Sequence, residues 1–99
     1  MKASRERLIR QLTDQLPAIR ARLDISQDEL ASRVGISRQT VSLIETHKQS
    51  MTWVTFMAMV ALFENNKESL SQLSLTGFFN NEDFAACMTI KGQEEYRHG

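Results

Sequence analysis

Arg38, Gln39, Ser42 and Leu43 are the residues of this chain best placed to read another molecule. In the segment Arg38 to Thr46, Val41 and Ile44 lie about one helical turn apart and point the same way, so these four fall on faces that no core claims. A guanidinium, an amide, a hydroxyl and a branched apolar group together make recognition chemistry, not bond-making chemistry. Catalysis finds little elsewhere. His47 and His98 sit in loop-like stretches, and no carboxylate pair or glycine-rich phosphate cradle accompanies them. Cys87 is the single cysteine, so it has no internal disulfide partner and no second thiol for a zinc motif. Pairing Cys87 with His47 as nucleophile and base has no further support in the sequence. We therefore expect no catalytic residue, no metal ligand, no cofactor and no enzyme.

The elements that must position the four residues are legible around them. Leu30 and Val34 share a face in the segment Gln27 to Val34, and the small Ala31 beside them lets a second helix cross closely. Ser26 stands before Gln27 with Glu29 three positions on, a capping-box signature, and Ser37 repeats the capping role for the next helix. Gly35 follows the last apolar residue of the first helix, where a left-handed turn costs glycine little. Residues 27–46 thus read as two short helices meeting across a tight turn, a unit suited to placing a helix in DNA.

Charge and length set the frame. The 99 residues carry no net charge, but residues 1–50 hold nine Lys or Arg against six Asp or Glu, and residues 51–99 hold three against six. This polarity suits a basic face turned to phosphate and a more acidic end held away from it. A chain of this length makes one domain that buries roughly 60 to 70% of its unfolded surface. No stretch approaches the roughly 20 apolar residues that span a bilayer, and Met1 to Arg7 is charged, unlike a signal peptide, so a soluble, cytoplasmic protein without membrane contact is expected.

On either side of the central pair the pattern stays helical. Leu8, Leu12, Leu16, Ile19 and Leu23 recur at steps of three or four. Pro17 interrupts them, so either Thr13 caps a new helix or one longer helix is kinked, and we favour a break or kink near residues 13–16. Thr52 caps a fourth helix running to about Glu64 that is apolar almost all round. Trp53, Phe56, Met57, Val60 and Phe63 form its expected core face, and Val54, Ala58, Ala61 and Leu62 a second stripe. Either the C-terminal segment folds over that stripe or an identical subunit covers it, so these four are the dimer candidates. Asn65 and Asn66 can end this helix and cap a fifth near Lys67 to Leu73. Beyond Gly77, the residues Phe78, Phe79, Phe84, Met88 and Ile90 are too apolar for a free tail. A hairpin or strand over Phe84 to Ile90, a further short helix, or a segment ordered by dimerisation all remain open, and Glu94 to Gly99 is loop-like.

The stretch Leu16 to Phe63 resembles the Cro and phage-repressor family of helix-turn-helix regulators, also called the XRE family. The match lies in Ser26-Gln27-Asp28-Glu29-Leu30-Ala31-Ser32-Arg33-Val34-Gly35-Ile36-Ser37-Arg38-Gln39-Thr40-Val41-Ser42-Leu43-Ile44-Glu45. The resemblance implies an all-α bundle of four or five helices, with residues 1–75 as the DNA-binding domain and 76–99 as a C-terminal extension for dimerisation or partner binding. It further implies a regulator, most simply a repressor, that binds double-stranded DNA as a homodimer on an inverted repeat. Carried over by position, Arg38 reads guanine or reaches a phosphate, Gln39 pairs with adenine, and Ser42 and Leu43 touch a base edge or methyl group. Gln27 contacts a phosphate and braces the recognition helix, Ser37 and Thr40 suit phosphate or thymine-methyl contacts, and Lys48 and Gln49 are phosphate candidates. Glu45 is expected to be structural. Two positions depart from the family pattern: His47 stands where a glycine is common and Met51 where a proline is common. The turn after the recognition helix is therefore expected to use another cap. An alternative reading is an antitoxin-like autoregulator whose residues Phe78 to Ile90 grip a partner protein.

Overall fold

The computed structural model describes residues 2–90. Among them it contains six α-helices, one short 3-10 turn and no strand, in the order α1 (Lys2–Leu23), α2 (Gln27–Val34), α3 (Arg38–Glu45), α4 (Trp53–Glu64), α5 (Lys67–Leu75), the 3-10 turn Phe78–Asn80 and α6 (Glu82–Met88). The expected all-α class holds, with α6 added to the four or five helices foreseen.

Helix α1 is continuous through Pro17, so of the break or kink expected near residues 13–16 the break does not occur. Leu8, Leu12, Leu16 and Ile19 are fully buried on one face. Each contributes roughly 1.5–3 kcal/mol of transfer free energy, enough together to offset the roughly 3 kcal/mol that an interior proline costs. Thr13 does not cap a new helix: its hydroxyl donates to the Ile9 carbonyl at 2.7 Å, one turn back. Pro17 itself is exposed, so its ring disturbs only the solvent side.

Helix α4 crosses the bundle with Phe56, Met59, Val60 and Phe63 buried. Two residues expected in that face are elsewhere. Met57 is 38% exposed, and Trp53 is half-buried, stacked on Phe56 at 4.7 Å with the Arg5 guanidinium 4.8 Å from its ring centre. In a helix apolar all round, the spacing does not say which stripe faces in, and the neighbouring helices chose the stripe at residues 56, 59, 60 and 63. Asn66 occupies the position before α5 without a side-chain cap. The Asn65 and Asn66 amides instead donate back to the Ala61 and Leu62 carbonyls of α4. Buried Ser69 closes the corner by donating to the carbonyls of Phe63 and Asn66.

The segment after Gly77 is neither hairpin nor strand. Its 3-10 turn and α6 fold against α1, and Phe78, 2% exposed, enters the same core, 6.2 Å from the Phe56 ring. Phe79 and Phe84 meet Phe78 and each other edge-on at 5.4–5.7 Å. Three side chains spaced a turn apart on α1 hold this strap and the end of α5 that leads into it. Arg7 forms a two-pronged pair with Asp83 at 2.8 and 2.7 Å, Gln11 accepts from Asn81 at 3.0 Å, and Gln15 accepts from Thr76 at 3.2 Å. The loop-like run Glu94 to Gly99, with His98, lies outside the described residues.

Candidate nucleic-acid interface

The α2–α3 pair is built as its residue types require. Ser26 Oγ accepts from the Glu29 amide at 3.0 Å, starting α2. The capping box is only half made, because the Glu29 carboxylate turns along the helix to Arg33 at 3.1 Å. Gly35 takes φ 81°, and its own amide and that of Ile36 both donate to the Ala31 carbonyl, at 2.9 and 3.0 Å, which ends α2 in a left-handed turn. Ser37 Oγ then accepts from the Thr40 amide at 3.0 Å and pairs with the Thr40 hydroxyl at 2.8 Å, starting α3. Leu30, Ala31, Val41 and Ile44 are buried between the two helices and α1 and α4.

This packing turns the rest of α3 outward. Arg38 and Gln39 are exposed at its first turn, while Thr40, Ser42 and Leu43 are half-buried along its length. Among the described residues Arg38 and Lys48 have no carboxylate within ion-pair distance, so both charges are available to a ligand. Ser37 is exposed as well, with its hydroxyl engaged by Thr40. Gln27 is half-buried at the start of α2.

The turn leaving α3 departs from expectation. His47 adopts φ 61° in the place a glycine would take, and the same cap is kept. Its amide donates to Ile44 at 3.0 Å and the Lys48 amide to Leu43 at 2.9 Å, the paired bonds of a Schellman ending. Asp24 repeats the device after α1 with φ 55°, its amide donating to the Ala21 carbonyl and that of Ile25 to the Arg20 carbonyl. Histidine and aspartate tolerate this region better than most residues, though at some cost.

Beneath α3 lies a charged brace that the residue pattern did not reveal in full. Arg20 of α1 grips Glu45 with two bonds, Nε to Oε2 at 2.7 Å and Nη2 to Oε1 at 2.9 Å, and its third nitrogen donates to the Ile25 carbonyl at 3.2 Å. Gln27 Nε2 donates to Glu45 Oε1 at 2.9 Å. One carboxylate therefore ties α1, α2 and α3 together, with its side chain only 6% exposed and that of Arg20 20%. Burial pushes the Glu45 carboxyl upward, but the hydrogen bonds from Arg20 and Gln27 and the nearby charge outweigh it and hold the group below its ordinary 4.5. Arg20 is shifted further up, first by its bond to Glu45. The bracing expected of Gln27 and the structural role of Glu45 are both visible here. Arg20 escapes the residue pattern, although a charge flanked by the apolar Ile19 and Leu23 stripe signals a cation in need of a partner.

The four dimer candidates differ in exposure. Val54 is 78% exposed and Ala61 is exposed, with Ala58 half-buried beside them. Leu62, one turn beyond Ala58 at the edge of this stripe, is half-buried and packs against the core, lining with Leu23 and Ile25 a cavity of about 150 Å³. Met57, assigned to the core by its spacing, completes the exposed stripe with Val54, Ala58 and Ala61. No helix among the described residues is long and apolar enough to cross a membrane, and no group of histidine, cysteine and carboxylate side chains among them is arranged to hold a metal ion.

Residues 18–50 match the helix-turn-helix family model, a span that runs from the end of α1, with Arg20, through α2 and α3 to the loop after His47. No curated protein and no solved structure matches the chain. The matched span contains every member of the Arg20–Gln27–Glu45 brace and all the outward residues of α3. The chain thus carries, in residues 18–50, a helix-turn-helix domain of the Cro and phage-repressor (XRE) type, the DNA-binding element of transcription regulators.

Proposed function

We propose that the protein is a sequence-specific repressor that binds an inverted-repeat operator as a homodimer, with α3 of each copy in a major groove. The observation that carries this reading is the division of labour on α3. Val41, Ile44 and Glu45 anchor it to α1 and α2, while Arg38 and Gln39 stand exposed at its first turn with no partner for the arginine among the described residues. Arg38 and Gln39, with Ser42 and Leu43 behind them, are the base readers; Arg and Gln present the paired hydrogen-bonding groups that guanine and adenine edges match. Gln27, Ser37, Thr40 and Lys48 contact the backbone and set the register. The apolar stripe Val54, Met57, Ala58 and Ala61 on α4 is the surface a second copy covers, since a contiguous apolar row at the surface marks an interaction site. Two copies so joined place their recognition helices about one helical turn of DNA, or roughly 10 bp, apart.

A partner-gripping C-terminal segment has less support, because Phe78 is buried and Phe79 and Phe84 pack against this chain's own core. The test is selection of bound duplexes from a random library by the purified protein at two salt concentrations. A recovered inverted repeat is expected. Salt-sensitive binding without sequence preference would refute the reading.

A further inference from the structure

Outside the matched segment, the first half of α1 passes the loop that leaves α3. Between them lies an open cavity of about 440 Å³, lined by Glu6, Ile9, Arg10 and Thr13 from α1 and by His47, Gln49 and Ser50 from the loop. Arg10 is exposed at its rim, with no hydrogen bond or carboxylate partner among the described residues. Most other arginines of the chain are engaged: Arg7 with Asp83, Arg20 with Glu45, Arg22 with Glu68 and Arg33 with Glu29. Lys48, equally free, stands on the same loop. Two carboxylates border the cavity. Glu6 is on its lining, and Asp14, just outside it, stands 3.6 Å from His47 Nε2, so both carboxylates oppose an anionic ligand there, Glu6 the more directly.

From this arrangement we infer that the cavity seats a phosphate of the DNA backbone, with Arg10 as its cation and Gln49 and Ser50 as neutral donors. The inference rests on the helix-turn-helix reading and extends the interface to a residue outside residues 18–50. Helix α3 has 8 residues and so is about 12 Å long, close to the roughly 12 Å width of the major groove. A helix of that length set in the groove has a backbone wall near each end. Gln27 and Ser37 serve the wall near its start. At its other end the chain offers this cavity, and the freely placed cations there are Arg10 and Lys48. Arg is suited to the task because its planar fork matches two phosphate oxygens.

Two charge-changing variants test this on a labelled duplex carrying the site that the wild-type protein selects, with affinity measured by anisotropy across a salt series. Arg10→Gln keeps a good helix former at an exposed position, so its melting temperature should stay that of the wild type. Its plot of log affinity against log salt should become shallower by about 0.9, the loss of one phosphate contact, with base preference unchanged. Glu6→Gln should tighten binding, most strongly at low salt. An unchanged slope for Arg10→Gln, or an unchanged affinity for Glu6→Gln, overturns the phosphate seat while leaving the recognition helix reading intact. A wild-type protein that selects no site overturns both.

Discussion

Glu45→Gln isolates the brace beneath the recognition helix, because it keeps the shape of the side chain and removes only its charge. In the native protein the carboxylate accepts two bonds from Arg20 and one from Gln27 at 2.7–2.9 Å, with 6% of its side chain and 20% of that of Arg20 exposed. Removing one member of a fully buried pair costs about 3–5 kcal/mol, since the other charge stays desolvated without compensation. Arg20 retains some water, and glutamine still offers one acceptor oxygen, so the expected loss is about 2–3 kcal/mol. For a domain of this size that corresponds to a fall in Tm of about 8–24 °C. The pH dependence gives a second readout. The Glu45 carboxyl is held below 4.5 in the folded state, so its contribution is fully present above its unfolded value and is lost as pH falls through the lower folded value. Protonated Glu45 resembles glutamine. Thermal melts followed by circular dichroism should therefore separate wild type and variant widely at pH 7 and bring them together in strong acid. A difference below about 0.5 kcal/mol at neutral pH, the size of an exposed pair, would refute the brace, as would a gap that persists unchanged in acid.

The left-handed turns, the exposed stripe of α4 and the recognition helix each give a further expected outcome. Gly35→Val should cost at least about 1–2 kcal/mol, because φ 81° disfavours a β-branched residue although no atom lies within 4 Å of an added Cβ. His47→Gly should do the reverse at φ 61°, raising stability by about 0.5–1 kcal/mol, and chemical denaturation that ranks the two variants in the opposite order would contradict the left-handed assignment. Val54→Lys, at a site 78% exposed, should shift the protein toward monomer in sedimentation with helix content intact. Leu62→Glu, which buries a charge against Leu23 and Ile25, should instead lower Tm; the opposite pattern would centre the interface on Leu62. Gln39→Ala should cost about 1–3 kcal/mol at the selected site and relax one base position, and an unchanged binding profile would remove Gln39 from the base readers.

What the sequence alone determined about this protein is local. Caps at Ser26, Ser37 and Thr52, the left-handed turn at Gly35, and the apolar spacing of Leu30, Val41 and Ile44 each depend on residues within a turn or two of one another, so their physics is contained in short windows. The helix-turn-helix, and with it the outward placement of Arg38 and Gln39, is therefore legible in the order of the amino acids. Tertiary packing decided the rest. Nothing near Pro17 states that α1 continues through it; that outcome depends on buried contacts from Leu8 to Ile19 with partners far along the chain. The stripe of α4 that faces inward was settled by the helices around it, because Trp53 to Phe63 is apolar in nearly every direction. The segment from Phe78 to Met88 became a 3-10 turn and a helix on α1 through Arg7 and Gln11, whose partners lie 76 and 70 positions away. The Arg20–Glu45 brace has the same character: each residue alone is an ordinary surface charge, and only their approach across 25 positions makes them one buried unit.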